Sequence, residues 1–233
     1  MASMASKNVI LTGATGMIGG LVLDACLARD DVAAVTSILR RPSGRAHPRL
    51  TEVVHGDFTD FSAIAAHFAG QDICFFCLGV YTGQVDTAQF RRITIDVTRA
   101  FAGALEHGSP GAAFCFLSGQ GADPSGRSKV LFAQAKGVAE NDLTARPFRT
   151  HIFRPGYIYP VTPRAEPNLF YRLARPLYPA LSRVWPNLGL TSADLAAAMV
   201  AAGFDGCDLT VLENADIRRL AAAVAQTVAQ TVP

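Results

Sequence analysis

The sequence predicts an α/β fold in which a doubly wound parallel sheet is covered by helices on both sides. Three observations carry that expectation. Short apolar runs alternate with longer stretches of helical periodicity, as parallel strands joined by crossover helices require. The first run passes directly into a glycine-spaced turn that opens an amphipathic helix, over Val9-Ile10-Leu11-Thr12-Gly13-Ala14-Thr15-Gly16-Met17-Ile18-Gly19-Gly20. At 233 residues, half of them hydrophobic, the chain suits one α/β domain with a sizeable core.

In order, residues 8–12 read as a strand, 17–29 as a helix and 34–39 as a second strand. A Pro/Gly-containing loop from Arg41 to Arg49 leads to a short third strand at 52–55. A helix near 60–69, a strand at 72–78, a long helix near 88–107 and a strand at 112–117 follow, then a helix near 128–145 and a strand at 149–153. Prolines at 155, 160, 163, 167, 176, 179 and 186 rule out one regular helix over the next segment. Short helices and loops folded over the strand ends would suit it, so 155–190 is expected to cover a pocket within a single domain spanning 1–233. A helix at 191–203, a strand near 208–212 and a helix near 215–229 close the chain.

Net charge is +2, and the lysines and arginines are scattered, so the electrostatic footprint of a nucleic-acid binder is missing. No apolar run approaches membrane-spanning length, and residues 1–7 lack the apolar core of a secretory signal. The five cysteines lie mostly in apolar runs, which suggests a reducing, cytoplasmic setting. Cys74 and Cys77 form a C-x-x-C inside Ile73-Cys74-Phe75-Phe76-Cys77-Leu78, where a strand sends them to opposite faces. Core packing is the reading for both. The five histidines show no ligand spacing, so no metal site is expected.

The glycine turn has a chemistry. Gly13 can make the tight exit from the strand, Gly16 leaves room for a pyrophosphate to approach the backbone, and Gly19 permits close packing of the helix. Amides at the helix start, over Thr15, Gly16, Met17 and Ile18, would face the phosphates. The second strand ends in Leu39-Arg40-Arg41, where an acidic residue would suit a free ribose 2′-hydroxyl. Guanidinium groups suit a 2′-phosphate instead, so NADP(H) is expected over NAD(H). Asp57 and Phe58, after the third strand, would meet the adenine, although Asp57 equally suits capping of the next helix. Leu78 and Gly79 would border the nicotinamide ribose.

Five blocks in order, Thr12 to Gly19, Phe75 to Gly79, Leu117-Ser118-Gly119-Gln120-Gly121-Ala122-Asp123, Ala135-Lys136-Gly137-Val138-Ala139-Glu140 and Phe153-Arg154-Pro155-Gly156, resemble the atypical short-chain dehydrogenase/reductase superfamily. The likeness is greatest to its NAD(P)-binding, NmrA-like members and their Tat-interactive-protein oxidoreductase branch, and it runs from about residue 7 to Asn214. It implies a Rossmann-type domain, a bound dinucleotide and a small-molecule substrate pocket built by the C-terminal segment. It also implies that Pro155 and Gly156 border the nicotinamide and that Lys136 holds its ribose.

Members of that superfamily typically use Tyr-x-x-x-Lys, the tyrosine donating a proton as hydride reaches a carbonyl. Here Lys136 matches the lysine, and the residue four earlier is Phe132. Ser118 matches the usual serine and would hydrogen-bond a substrate oxygen, or serve as a polar strand-end cap. Tyr81, Tyr157, Tyr159 or Lys136 could replace the missing phenol, with Tyr81 preferred. Arg127 and Lys129 could meet an anionic substrate or simply be solvated. Three readings follow: a cytoplasmic NADPH-dependent reductase of a carbonyl, enone or imine, a catalytically silent NADP(H)-binding regulator, and a non-redox cyclase or isomerase on the same fold. The long helices near 88–107 and 128–145 could pair in a homodimer, as in relatives, or bury their apolar faces on their own sheet alone.

Overall fold

The computed structural model describes residues 6–80, 83–162 and 189–231. Its main sheet has seven parallel strands in the order β3-β2-β1-β4-β5-β6-β9: β1 (Lys7–Thr12), β2 (Val32–Leu39), β3 (Leu50–Val54), β4 (Ile73–Phe76), β5 (Ala113–Leu117), β6 (Arg149–Arg154) and β9 (Val211–Glu213). The order reverses between β1 and β4, the place where a doubly wound sheet opens a crevice at its carboxyl edge. Two further strands, β7 (Tyr157–Tyr159) and β8 (Gly189–Thr191), pair in parallel as a separate small sheet.

Strand periodicity divides the core. Val9, Leu11, Phe75, Cys77 and Cys115 pack on one face with α1 (Met17–Leu27) and α5 (Ser192–Asp205), the latter in contact with α6 (Asn214–Thr231). Ile10, Cys74, Phe76, Phe114 and Phe116 point to the other face. There they meet α3 (Val97–Gly108), α4 (Leu131–Thr144) and a 3₁₀ helix over Ser62–Phe68. Phe61, Phe68, Phe76 and Phe101 interlock edge to face, with ring centroids 4.9–5.3 Å apart. Cys74 and Cys77 thus lie in opposite halves of the core, and burial raises both thiols above their ordinary range.

Several boundaries differ from the sequence expectation for identifiable reasons. The helix expected from 128 begins at Leu131, because the Asp123 carboxylate accepts from the amides of Ser125 and Ser128 and from the Ser125 hydroxyl, holding a turn there. The helix expected over 60–69 is 3₁₀, interrupted by non-helical torsions at Ile64. The long helix near 88–107 is a composite of α2 (Thr87–Arg91), a π turn over Arg92–Asp96 and α3. β4 stops at Phe76, two residues short of the apolar run. The Pro-rich stretch 163–188, most of the expected pocket cover, lies outside the described residues, as does Tyr81.

Candidate functional site

The turn out of β1 needs glycine at two positions. Gly13 adopts φ +85°, and a Cβ there would stand 2.7 Å from the Cys77 carbonyl. A Cβ on Gly19 would stand 2.2 Å from the Gly13 carbonyl oxygen, so the first turn of α1 rests directly on the loop. The Gly16 amide donates to Gly13 O at 2.8 Å, closing the turn. Gly16 then begins α1 with no side-chain cap and no acidic residue in the first turn. First-turn amides without a cap are an anion-binding face. Ile18 sends its side chain into the core, so its contribution to that face is its main chain, and Met17 is half-buried against the same core.

Two hollows of about 220 Å³ each open on this turn. Gly13, Thr15, Arg40, Phe58 and Leu78 line both, which makes them one groove. One end runs past Leu39, Arg40, Arg41 and Pro42, and the other past Gly16, Gly79, Val80, Ile93 and Val97. Arg40 and Arg41 are exposed and make no ion pair or hydrogen bond among the described residues. A wider depression of about 470 Å³ lies at the end of α1 and the start of β3, away from the glycine turn, and its arginine, Arg45, is already paired with Asp24.

Asp57 stands beside the groove without lining it. Its carboxylate accepts from the Thr59 hydroxyl and amide, and these hydrogen bonds hold it below the usual carboxylate range. Pro155 and Gly156 form the β6–β7 corner: the Pro155 carbonyl accepts from the Gln120 amide, and the Gly156 amide donates to Asn214 Oδ1 at 3.1 Å. They do not line the groove. Arg127 reaches back to Ser125, and Lys129 is exposed.

The end of β5 is a second, buried polar cluster. Lys136 donates from Nζ to Leu117 O at 2.9 Å and sits 4.7 Å above the Phe116 ring. Burial pushes its pKa down to about 8, against the smaller opposing field of Glu140 one helical turn later. Ser118 gives its hydroxyl proton to Glu140, whose carboxylate also receives Arg154 through Nε at 3.1 Å and through Nη2. Arg154 donates further to Glu213 at 2.9 Å. The Phe132 ring approaches Gly119: a Cβ built there would stand 2.5 Å from Cζ and 3.4 and 3.5 Å from the two Cε atoms.

Sequence reasoning singled out Ser118 and Lys136 but missed Glu140 and Arg154 as a pair. The available signal was a carboxylate one turn after Lys136 on the buried face of α4 and an arginine at the end of a buried strand. Val80, Ile93 and Val97 of the groove wall were missed as well, because they carry no distinctive chemistry. Among the described residues no three His, Cys, Asp or Glu side chains gather as a metal site, and no helix is long and apolar enough to cross a membrane.

A groove at the carboxyl edge of a parallel sheet, floored by a glycine turn and an uncapped helix start, defines a dinucleotide-binding α/β protein of Rossmann type. The family model described as NAD(P)H-binding matches residues 13–205, and the chain belongs to that family. Within it the chain sits among the atypical, NmrA-like short-chain dehydrogenase/reductases: Protein HTATIP2 of Rattus norvegicus is 30% identical over 193 residues, 79% of this chain and 75% of that protein. The Bordetella bronchiseptica enzyme WbmF, solved in complex with NAD+, superposes with a TM-score of 0.65 at 16% identity, covering 100% of this chain and 81% of that one. A short chain dehydrogenase from Burkholderia cenocepacia, solved in complex with NADP, gives 0.60 at 18% identity and covers 99% of both chains.

Proposed function

We propose that this protein is an NADP(H)-dependent oxidoreductase acting by hydride transfer on a small organic substrate, a carbonyl, enone or imine. The observation that carries the reading is the pair of unneutralised guanidinium groups, Arg40 and Arg41, at the rim of a groove whose floor is the Gly13–Gly19 turn. The residues fit the dinucleotide: side chains at Gly13 and Gly19 would collide with main chain, and the first amides of α1 have no cap of their own. Bound there, the nicotinamide would supply or accept the hydride.

In this reading the protein's own groups bind and orient. The amides from Thr15 to Ile18 would hold the pyrophosphate, Arg40 and Arg41 the 2′-phosphate, and Phe58 the adenine ring, with Asp57 beside it. Leu78, Gly79, Pro155 and Gly156 would border the nicotinamide side, Lys136 would fix its ribose, Ser118 would meet the substrate, and Tyr81 is the candidate replacement for the missing phenol. The same reading places the protein in the cytoplasm, with 155–190 as the pocket cover. It allows two copies to pair through α3 and α4, helices that the ion pair from Arg99 to Asp142 joins within one chain, with Arg146, just past α4, paired to Glu106.

Titration with NADPH and NADH tests it. Replacing both Arg40 and Arg41 with alanine should weaken NADPH roughly tenfold to a hundredfold, the worth of charge-assisted hydrogen bonds, and leave NADH within about threefold. Equal loss for both cofactors would refute the phosphate assignment. Phe132, which has no proton to give, favours a second reading as a catalytically silent NADP(H)-binding regulator. Tight NADPH binding without oxidation across a panel of ketones, enones and imines would select it.

A further inference from the structure

The hydroxyl at the end of β5 is committed before any substrate arrives. Ser118, 8% exposed, gives its single proton to Glu140 Oε1. Glu140 is 2% exposed and anchored by Arg154, itself tied to Glu213, so the carboxylate cannot turn away. An ionised carboxylate only accepts. The Ser118 oxygen therefore has lone pairs, and no proton, left to offer.

Position 132 offers none either, and the packing keeps it so. The place of a Gly119 Cβ lies almost equidistant from the two Cε atoms of Phe132 and nearest to Cζ, on the extension of the ring's long axis. A phenolic oxygen on Cζ would point straight at that place and press on the Gly119 main chain. Two cations, Lys136 and Arg154, are matched by two carboxylates, Glu140 and Glu213, so the cluster holds no net positive charge against a cationic group.

We propose that Glu140 is a positioning residue that fixes Ser118 as a hydrogen-bond acceptor, and that the substrate group seated at Ser118 is an N–H donor, an iminium or its product amine, rather than a carbonyl oxygen. This rests on the oxidoreductase reading above. Its electrons balance without a protein acid: hydride adds to the carbon of C=N–H⁺ and forms the C–H bond, the π pair becomes the nitrogen lone pair, and the reduced nicotinamide is oxidised. A ketone would instead leave an alkoxide that needs a proton from a group in place to give it.

The test uses the full chain saturated with NADP+ and two five-membered probes, pyrrolidine, protonated at neutral pH, and cyclopentanone, with dissociation constants from NMR titration. Pyrrolidine should bind more tightly. Ser118→Ala should weaken it about tenfold, the worth of one hydrogen bond to a charged group, and leave cyclopentanone within twofold. Glu140→Gln, whose amide nitrogen cannot accept from Arg154 Nη2 and, turned the other way, would donate to Ser118 instead of accepting from it, should narrow the preference at least threefold while a cooperative melt shows it folded. Tighter binding of cyclopentanone, its selective loss in Ser118→Ala, or affinities for both probes that ignore Ser118 would overturn the proposal. NADP+ saturation is read before any probe is added: failure there sinks the oxidoreductase reading and this one with it, whereas saturation followed by the wrong probe order sinks this one alone.

Discussion

The two ends of the carboxyl edge are built on opposite principles. Beyond β1 and β2 stand polar groups that are exposed and unpaired among the described residues: the uncapped start of α1, Arg40 and Arg41. Beyond β5 and β6 they are already paired, the buried Ser118 and Glu140 and the half-buried Arg154 joined to the exposed Glu213 in one chain of hydrogen bonds. Exposed, unpaired cations cost little to keep in water and gain their partner only when an anion arrives. Buried groups must be paired from the start, and a paired group holds its geometry. The first region is organised to attract and the second to position.

The largest expected effect breaks the second region. Glu140→Ala strips the buried partner from Arg154 and from Ser118, and loss of one member of a buried pair costs about 3–5 kcal/mol. Urea denaturation should show that loss, while Arg40→Ala in the first region should change stability by no more than about 0.5 kcal/mol. Equal effects at the two sites would erase the distinction. Next comes Gly19→Ala. Its methyl would be driven into the Gly13 carbonyl, and overpacking of this kind costs about 1–3 kcal/mol. Because the turn itself must shift, NADPH affinity should fall more than tenfold, measured by fluorescence titration. A variant that kept full affinity would show that the turn is not the phosphate floor.

The same contrast explains what could be read from sequence. The turn from β1 into α1 is local: Gly13, Gly16 and Gly19 announce themselves within seven residues, and the strand before them is continuous. The Arg40–Arg41 pair was legible because it ends a strand. The Ser118–Glu140–Arg154 chain was not, because its members come from β5, α4 and β6 and meet only once the β5–β6 register is set. Sequence also missed β7 and β8, three-residue strands whose pairing joins Tyr157–Tyr159 to Gly189–Thr191 across a long connection. No local period reveals so short a strand. The expected end of β4 at 78 failed for a related reason, since the apolar run continues past the last sheet residue to line the groove with Leu78.

The smallest effect sharpens the comparison by using pH. Burial lowers the Lys136 pKa from 10.5 to about 8, the field of Glu140 opposing it. Between those values the unfolded chain holds a proton that the folded chain releases, so this lysine makes stability rise with pH through the window. Below about 8 both states are protonated and the full cost of burying the ammonium is present; above 10.5 it is gone. Between pH 8 and 9 the gain should be about 1 kcal/mol. The buried thiols of Cys26, Cys74, Cys77 and Cys115, whose pKa values are raised from 9.0, act in the opposite direction within this window and above it. The difference between wild type and Lys136→Met removes their contribution. Melts of the two proteins at pH 8 and 9 should diverge, the wild type gaining relative to the variant, and parallel curves would place Lys136 in solvent rather than in the buried cluster at the end of β5.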